Sequence, residues 1–154
     1  SELVRVGPAR FQSLELPGEG LQVPFREFGG AVVDEGVFVR RIVVAVEPGE
    51  SSVLLGGQPG PHKIEGVGIG YTPPLWDPSL VDEIIAVKTD DAKEMARRLA
   101  REEGLFSGTS SGANVIAAKL VAERLGPGAN VVTLMADSGL KYLNTDVYRP
   151  RDSA

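Results

Sequence analysis

Three uninterrupted apolar runs of strand length, accompanied by two segments of helical period, restrict the fold of this chain more than any other feature. The runs are IVVAVE (residues 42–47), EIIAVK (83–88) and NVVTLMAD (130–137). A strand that is apolar at consecutive positions cannot leave one face in water, so these runs predict strands buried on both faces, as in a parallel sheet covered by helices. After the second run, AKEMARRLAREEG sets Met95, Leu99 and its alanines at helical spacing, and Gly104 supplies a stop. Thr89, Asp90 and Asp91 precede it and put negative charge at the positive end of that helix. SGANVIAAKLVAERLG (111–126) repeats its apolar residues at Val115, Ala118, Leu120, Val121 and Leu125. Thr109 or Ser110 is placed to cap this second helix, and Gly126-Pro127-Gly128 to end it. Strand, helix, helix, strand predicts an α/β fold, three-layer, with a largely parallel sheet and helices on both faces. SGLKYLNT, after the last strand, has room for only a short helix.

Residues 1–41 behave differently. Glycine and proline recur every few residues, no segment has a helical period, and the apolar stretches are short. A β-rich or irregular segment is expected there, with AVVDEGVFVRR forming a hairpin around a three-residue Asp34-Glu35-Gly36 loop. The expected organisation is an unassigned segment, 1–41, followed by an α/β domain part, 42–154. Composition excludes several kinds of chemistry. There is no cysteine and a single histidine among 154 residues, which removes thiolate metal sites, disulfides and a cysteine nucleophile, and leaves little for a serine–histidine pair. A net charge of −5 lacks the basic face that a nucleic-acid partner requires. No apolar run is long enough to span a membrane, and the first residues lack the layout of a signal peptide, so a cytoplasmic location is expected.

Nineteen glycines and eleven prolines concentrate in two places that can carry a site. GGQPGPHKIEGVGIGYTPP (56–74) has glycines at 56, 57, 60, 66, 68 and 70, which implies a backbone passing close to a ligand or another strand. A long surface loop is the plainer alternative. The GVGIG spacing does not lie between a strand and a helix, as a dinucleotide fingerprint must. FSGTSSGAN (106–114) gathers hydroxyl residues and glycines at the mouth of the second helix, where free N–H groups can hold an anion and a serine can hydrogen-bond a ring nitrogen. An N-cap would account for one of those hydroxyls. His62 reads as a structural hydrogen-bonding group, and Lys63 as solvated or paired with an acid. Asp90, Asp91, Glu94, Glu102 and Glu103 alternate with Arg97, Arg98 and Arg101, a solvated ion-paired helix face. Tyr71 and Trp76 are expected to anchor their loop on the core.

Taken together, IVVAVEP, GGQPGPHKIEGVGIGYTPPLWD, VDEIIAVKTDDAKEMARRLAREEGLFSGTSSGAN and MADSGLKYLNT closely resemble the C-terminal half of cysteine synthase (O-acetylserine sulfhydrylase). That family belongs to the fold-type II pyridoxal-phosphate enzymes, and cystathionine β-synthase is its near relative. The resemblance runs from Ile42 to about Tyr148 and implies most of the family's large domain. It also implies pyridoxal phosphate as cofactor and a small amino-acid substrate. Ser110 stands where the family's serine hydrogen-bonds the pyridine nitrogen, leaving it unprotonated, as suits β-elimination and replacement. Gly66 and Gly68 match the glycines on the substrate side of the cofactor, flanked by Glu65 and Ile69. Asp137 and Ser138 match a segment behind the ring.

The departures from the family are equally specific. The Schiff-base lysine motif and the loop that holds the substrate carboxylate have no counterpart, and Lys63, Lys88, Lys93, Lys119 and Lys141 all stand in contexts without that role. Where a glycine–threonine phosphate loop is expected, the sequence is LQVPFREFGG, with Gly29-Gly30 lacking neighbouring threonines. No catalytic residue and no metal ligand is therefore assigned. The expectation is a truncated cysteine synthase-like chain of the family that joins O-acetylserine and sulfide into cysteine, a transferase or lyase chemistry of cysteine biosynthesis. It is not catalytic alone, and it is completed by a complementary N-terminal half or by self-association into a homo-oligomer. The alternative is a non-enzymatic binding or interaction module derived from the same fold.

Overall fold

The computed structural model describes residues 42–149 and the backbone of strand residues 3–6, 31–34 and 37–40. In chain order the elements are β1 (Leu3–Val6), β2 (Ala31–Asp34), β3 (Val37–Arg40), β4 (Val44–Pro48), β5 (Glu83–Val87), α1 (Thr89–Glu102), α2 (Thr109–Leu125) and β6 (Val131–Leu134). Single 3-10 turns cover Gly49–Ser51, Pro78–Leu80 and Gly139–Tyr142. The first and second apolar runs pair in parallel, with Val44 opposite Glu83 and Pro48 opposite Val87. The third run does not join them. β6 instead pairs antiparallel with β1, Leu3 opposite Leu134, and β2 and β3 form a third two-stranded ladder.

The core explains why α1 and α2 differ in composition. Helix α1 is one-sided: it buries Ala92, Met95, Ala96 and Leu99, while Arg97 and Arg101 share Glu94 at 2.9 and 3.2 Å and Arg98 meets Glu102 at 3.1 Å. Helix α2 is buried over most of its circumference, from Thr109 through Lys119 and Val121, with only Asn114 less enclosed in its first eleven residues. A helix covered on so many sides needs small residues, and α2 has Gly112, Ala113, Ala117 and Ala118. The closest approach is at Gly112, where a Cβ would collide with Ala92 O and lie 3.0 Å from Ala96 N. Glycine there lets the two helix backbones touch. Ile64, Ile85, Val87, Val115 and Val131 complete this core.

The start of α2 departs from the sequence-based expectation, whereas α1 carries Asp90 and Asp91 in its first turn as expected. Neither Thr109 nor Ser110 caps α2, since both are inside the helix and the N-cap is Gly108. A Cβ at position 108 would strike Asp137 Oδ1 and the Tyr142 ring, so close packing against those groups excludes a capping side chain there. Helix α1 has no side-chain cap from its own N-terminal residue, Lys88. Its orphan Thr89 N–H donates instead to Glu50 Oε1 at 2.8 Å, from a residue 39 positions earlier. The hairpin also differs: Asp34 is laddered opposite Val37, which leaves two residues, 35 and 36, between the strands rather than three, and these lie outside the described residues. Tyr71 does not anchor its loop, because it is 60% exposed.

Gly112→Ala is expected to lower the stability of the chain by about 1–3 kcal/mol, the usual cost of forcing extra volume into a packed contact. Urea unfolding followed by far-ultraviolet circular dichroism measures it, and an unchanged midpoint would refute the backbone contact.

Candidate functional site

The mouth of α2 is held by the segment that follows β6. Gly108 N–H donates to Asp137 O at 3.2 Å, and Gly139 N–H to Phe106 O at 3.0 Å. Ser107 and Ser138 form an antiparallel bridge between these hydrogen bonds. Ser111 Oγ accepts from Ala136 N–H at 3.0 Å, and Asn114 Nδ2 donates to Leu134 O at 3.0 Å. This stitching is why the third apolar run leaves its ladder after Leu134: residues 135–139 turn to meet the helix start. The structure thus brings Asp137 and Ser138 to the Ser110 turn.

Ser110 is 7% exposed, and its hydroxyl has no hydrogen-bond partner among the described residues. It stands in the first turn of α2, where N–H groups lack intrahelical acceptors. Ser107 Oγ and Asp137 Oδ1 are buried in the same corner without a partner among the described residues. A polar group from outside the chain fits such a place: the free hydroxyl can donate to a ring nitrogen, and pyridoxal phosphate carries one. The stretch expected to anchor phosphate, residues 21–30, lies outside the described residues.

The glycine-rich segment is tied to the stretch after β6 by the Lys63–Asp146 ion pair. Gly66 and Gly68 take φ values of +84° and +62°, a region disfavoured for side-chain-bearing residues. Gly66 is exposed, whereas a Cβ on Gly68 would lie 2.5 Å from Pro48 Cγ and 2.8 Å from His62 Nε2. His62 clamps this loop. Its Nδ1 accepts from Ile64 N–H at 3.3 Å, so the ring proton is on Nε2 and donates to Gly68 O at 2.8 Å. Lys63 Nζ reaches Asp146 at 3.2 Å, and the buried Lys93 of α1 reaches the same carboxylate at 2.8 Å. Lys93 first, and then Lys63, hold the Asp146 carboxyl below its ordinary range. No hydrogen bond links Ser110 to Gly66 or Gly68 among the described residues.

Tyr142, inside the MADSGLKYLNT stretch, and Tyr148 also pack in this corner, though neither stands out in the sequence as a site residue. The Tyr142 hydroxyl donates to Asp137 Oδ2 at 2.7 Å, and Lys141 Nζ approaches the same oxygen at 3.0 Å. Burial, and then the Asp137 carboxylate, push the Tyr142 phenol well above its usual range. The charge of Glu65, beside Gly66, acts on both Lys141 and Tyr142, so the glycine loop and the 137–142 turn share one electrostatic environment. Tyr148 stacks at a tilt on Phe106, with ring centroids 4.7 Å apart, and its hydroxyl lies 2.5 Å from Ser107 O.

Residues 25–137 match the family described as pyridoxal-phosphate dependent enzyme. The chain belongs to that family. The match begins before Ile42, inside the stretch that the sequence reading set apart. A cysteine synthase of Staphylococcus aureus is 48% identical over 106 residues, which are 69% of this chain and 34% of that protein. A probable cysteine synthase of Bacillus subtilis is 42% identical over 125 residues, 78% of this chain and 40% of the relative. Among solved structures, cysteine synthase from Entamoeba histolytica superposes with a TM-score of 0.69 at 41% identity, over 73% of this chain and 34% of its own. The O-acetylserine dependent cystathionine β-synthase from Helicobacter pylori gives 0.65 at 38% identity, over 70% of this chain and 35% of its own. The fold is therefore that of the fold-type II enzymes, and the chain spans about a third of the length of such relatives.

Because the Tyr142 phenol holds its proton to higher pH when folded than in the unfolded chain, where tyrosine titrates near about 10, the unfolded state binds fewer protons above that point. Stability then falls as pH rises from about 10 upward. The urea midpoint is expected to decline over this range, and to decline less in Tyr142→Phe. Identical pH profiles for the two proteins would refute the shift.

Proposed function

We propose that this chain supplies the ring-nitrogen and substrate-facing walls of a cysteine synthase-type site, in which O-acetylserine and sulfide yield cysteine, and that it does not catalyse by itself. The observation that carries the reading is the Ser110 hydroxyl at the mouth of α2, unpaired among the described residues, in a corner where Ser107 Oγ and Asp137 Oδ1 likewise lack partners among them. When bound there, pyridoxal phosphate supplies an electron sink for the bond changes at the substrate. Ser110 donates a hydrogen bond to the ring nitrogen and keeps it unprotonated. Gly66 and Gly68 form a wall without side chains, so that a small amino acid can lie against it. Asp137 and Ser138 set the position of the turn that carries Ser110, through Gly108 N–H and the 107–138 bridge.

The lysines support a non-catalytic chain. Lys63 and Lys93 are paired with Asp146, Lys119 with Glu123 at 3.3 Å, and Lys141 with Asp137, which raises its pKa further. An ammonium held in an ion pair is not a nucleophile. Lys88 is exposed at the start of α1. In this reading residues 42–154 are the large-domain part and 1–41 a separate segment. The chain works in the cytoplasm, and a complementary N-terminal half or a second copy completes it. A binding module without enzymatic activity is the second reading, and the exposed apolar residues Ile69, Tyr71, Leu75 and Leu80 favour it.

Purified chain mixed with pyridoxal phosphate is expected to show no absorbance near about 400 nm, the region of a lysine-bound cofactor, that borohydride fixes to the protein. A stoichiometric reduced adduct on one lysine, located by peptide mass spectrometry, would overturn the non-catalytic reading.

A further inference from the structure

The chain has a single histidine, and both nitrogens of its ring are bonded to the backbone of the glycine-rich loop. Nδ1 of His62 accepts from Ile64 N–H at 3.3 Å and Nε2 donates to Gly68 O at 2.8 Å, so the ring bridges Ile64 and Gly68 across Gly66. Other bonds act ahead of the glycines: Lys63 N–H donates to Thr89 Oγ1 at 3.2 Å, and Lys63 Nζ pairs with Asp146. Among the described residues, the bond to Gly68 O is the one side-chain hydrogen bond that reaches residues 65–70. Packing adds to it. A Cβ on Gly68 would lie 2.5 Å from Pro48 Cγ and 2.8 Å from His62 Nε2, so the ring and the buried proline at the end of β4 both press on the Gly68 backbone.

This arrangement works with one protonation state only. A neutral imidazole accepts at one nitrogen and donates at the other, which is what Ile64 N–H and Gly68 O require. A second proton makes Nδ1 a donor, and it then faces the Ile64 N–H with no acceptor between them. Ile64 is 1% exposed, so its N–H cannot turn to water unless the loop moves. His62 is itself half-buried, within reach of a proton from solvent. Neither ring nitrogen meets a charged group among the described residues. The charges around it are engaged elsewhere. Glu47, beside Pro48, accepts from Leu54 and Leu55 N–H at 2.9 and 3.1 Å, Glu50 accepts from Thr89 N–H, and Lys63 is paired with Asp146. The charge of Glu65 acts on Lys141 and Tyr142.

We propose that His62 positions the glycine wall as a proton-operated latch: the neutral ring, with its proton on Nε2, fixes residues 64–68, and a second proton on Nδ1 releases them. That proton comes from solvent and takes the Nδ1 lone pair. It displaces the Ile64 hydrogen bond, and no covalent bond changes apart from the new N–H. The inference rests on the proposed function in calling Gly66 and Gly68 a substrate-facing wall. A small amino acid laid against them meets a fixed backbone only while the imidazole is neutral.

A lone histidine makes the test direct, because the imidazole nitrogen resonances of the full chain report its tautomer and its second proton without ambiguity. Amide protection factors, corrected for intrinsic exchange, are followed through the same pH series. The neutral ring is expected to carry its proton on Nε2. Protection of 64–68 is expected to fall about two- to tenfold in step with ring protonation, the effect of losing one neutral hydrogen bond. Amides of 92–99 and 113–121, in the two helices, keep their protection through that step. His62→Gln, whose amide can donate to Gly68 O and takes up no proton, is expected to remove the step. His62→Ala is expected to lower the protection of 64–68 by a similar factor at every pH.

A proton on Nδ1 in the neutral ring overturns the inference. So does ring protonation that leaves 64–68 protected, or that loosens both helices equally, and so does unchanged protection in His62→Ala. The borohydride adduct tests the proposed function separately: its outcome does not alter the step at 64–68, and absence of the step leaves the reading of Ser110 as it stands.

Discussion

The backbone contact between α1 and α2 at Gly112 is the constraint on which the other features depend. It brings α2 against Ala92 and Ala96, and burial on its remaining sides by β5, β6 and the loop at Ile64 makes it the centre of the molecule. A helix in that position cannot vary its side chains freely, which accounts for the small residues Gly112, Ala113, Ala117 and Ala118. Its two ends then acquire different tasks. The first turn, with Thr109, Ser110 and Ser111, faces the polar corner, and the stretch through Ala117, Ala118 and Val121 floors an apolar groove between β4 and β6. Arg124, near the last turn, makes a two-pronged ion pair with Glu83 at the start of β5 and so ties the far end of the helix to the parallel ladder.

Two carboxylates organise the polar corner. Asp137 receives the Tyr142 hydroxyl and the Lys141 ammonium on one oxygen, while its backbone carbonyl receives Gly108 N–H. Asp146 gathers Lys63 from the glycine-rich loop and Lys93 from α1. Much of this network is solvated, so its value lies less in stability than in position. The glycine loop, the helix mouth and the 137–148 segment are fixed relative to one another by contacts that cross long stretches of sequence. His62 does the same within the loop, where both of its ring nitrogens are used on backbone groups.

Much of the fold was legible beforehand, and so was the family. The apolar runs at 42–47 and 83–88 became a parallel pair, the two periodic segments became α1 and α2, and Gly126, at φ +77°, ends the second helix as its sequence suggested. Local signals failed where the partner was remote. Thr109 and Ser110 had the chemistry of caps, yet Asp137 and Tyr142 crowd the cap position so closely that only glycine fits. Glu50 as the acceptor for the first N–H of α1, and Asp146 as the shared partner of two lysines, join residues 39, 83 and 53 positions apart. No periodicity marks such pairs.

By itself the sequence determined which segments are strands and helices, where α2 stops, and that neither thiol chemistry nor a cysteine nucleophile is available, because period, glycine placement and composition act locally or not at all. Its motifs also determined the family. Only the tertiary structure decided that β6 leaves the parallel pair to bond with β1, that β4 and β6 border one groove, and that Lys63, Lys93, Lys119 and Lys141 are neutralised by acids. The physical reason is common to all three. Ladder pairing and ion pairing depend on which groups the chain brings within a few ångströms, and an apolar run of strand length is compatible with several neighbours until packing around α2 selects them.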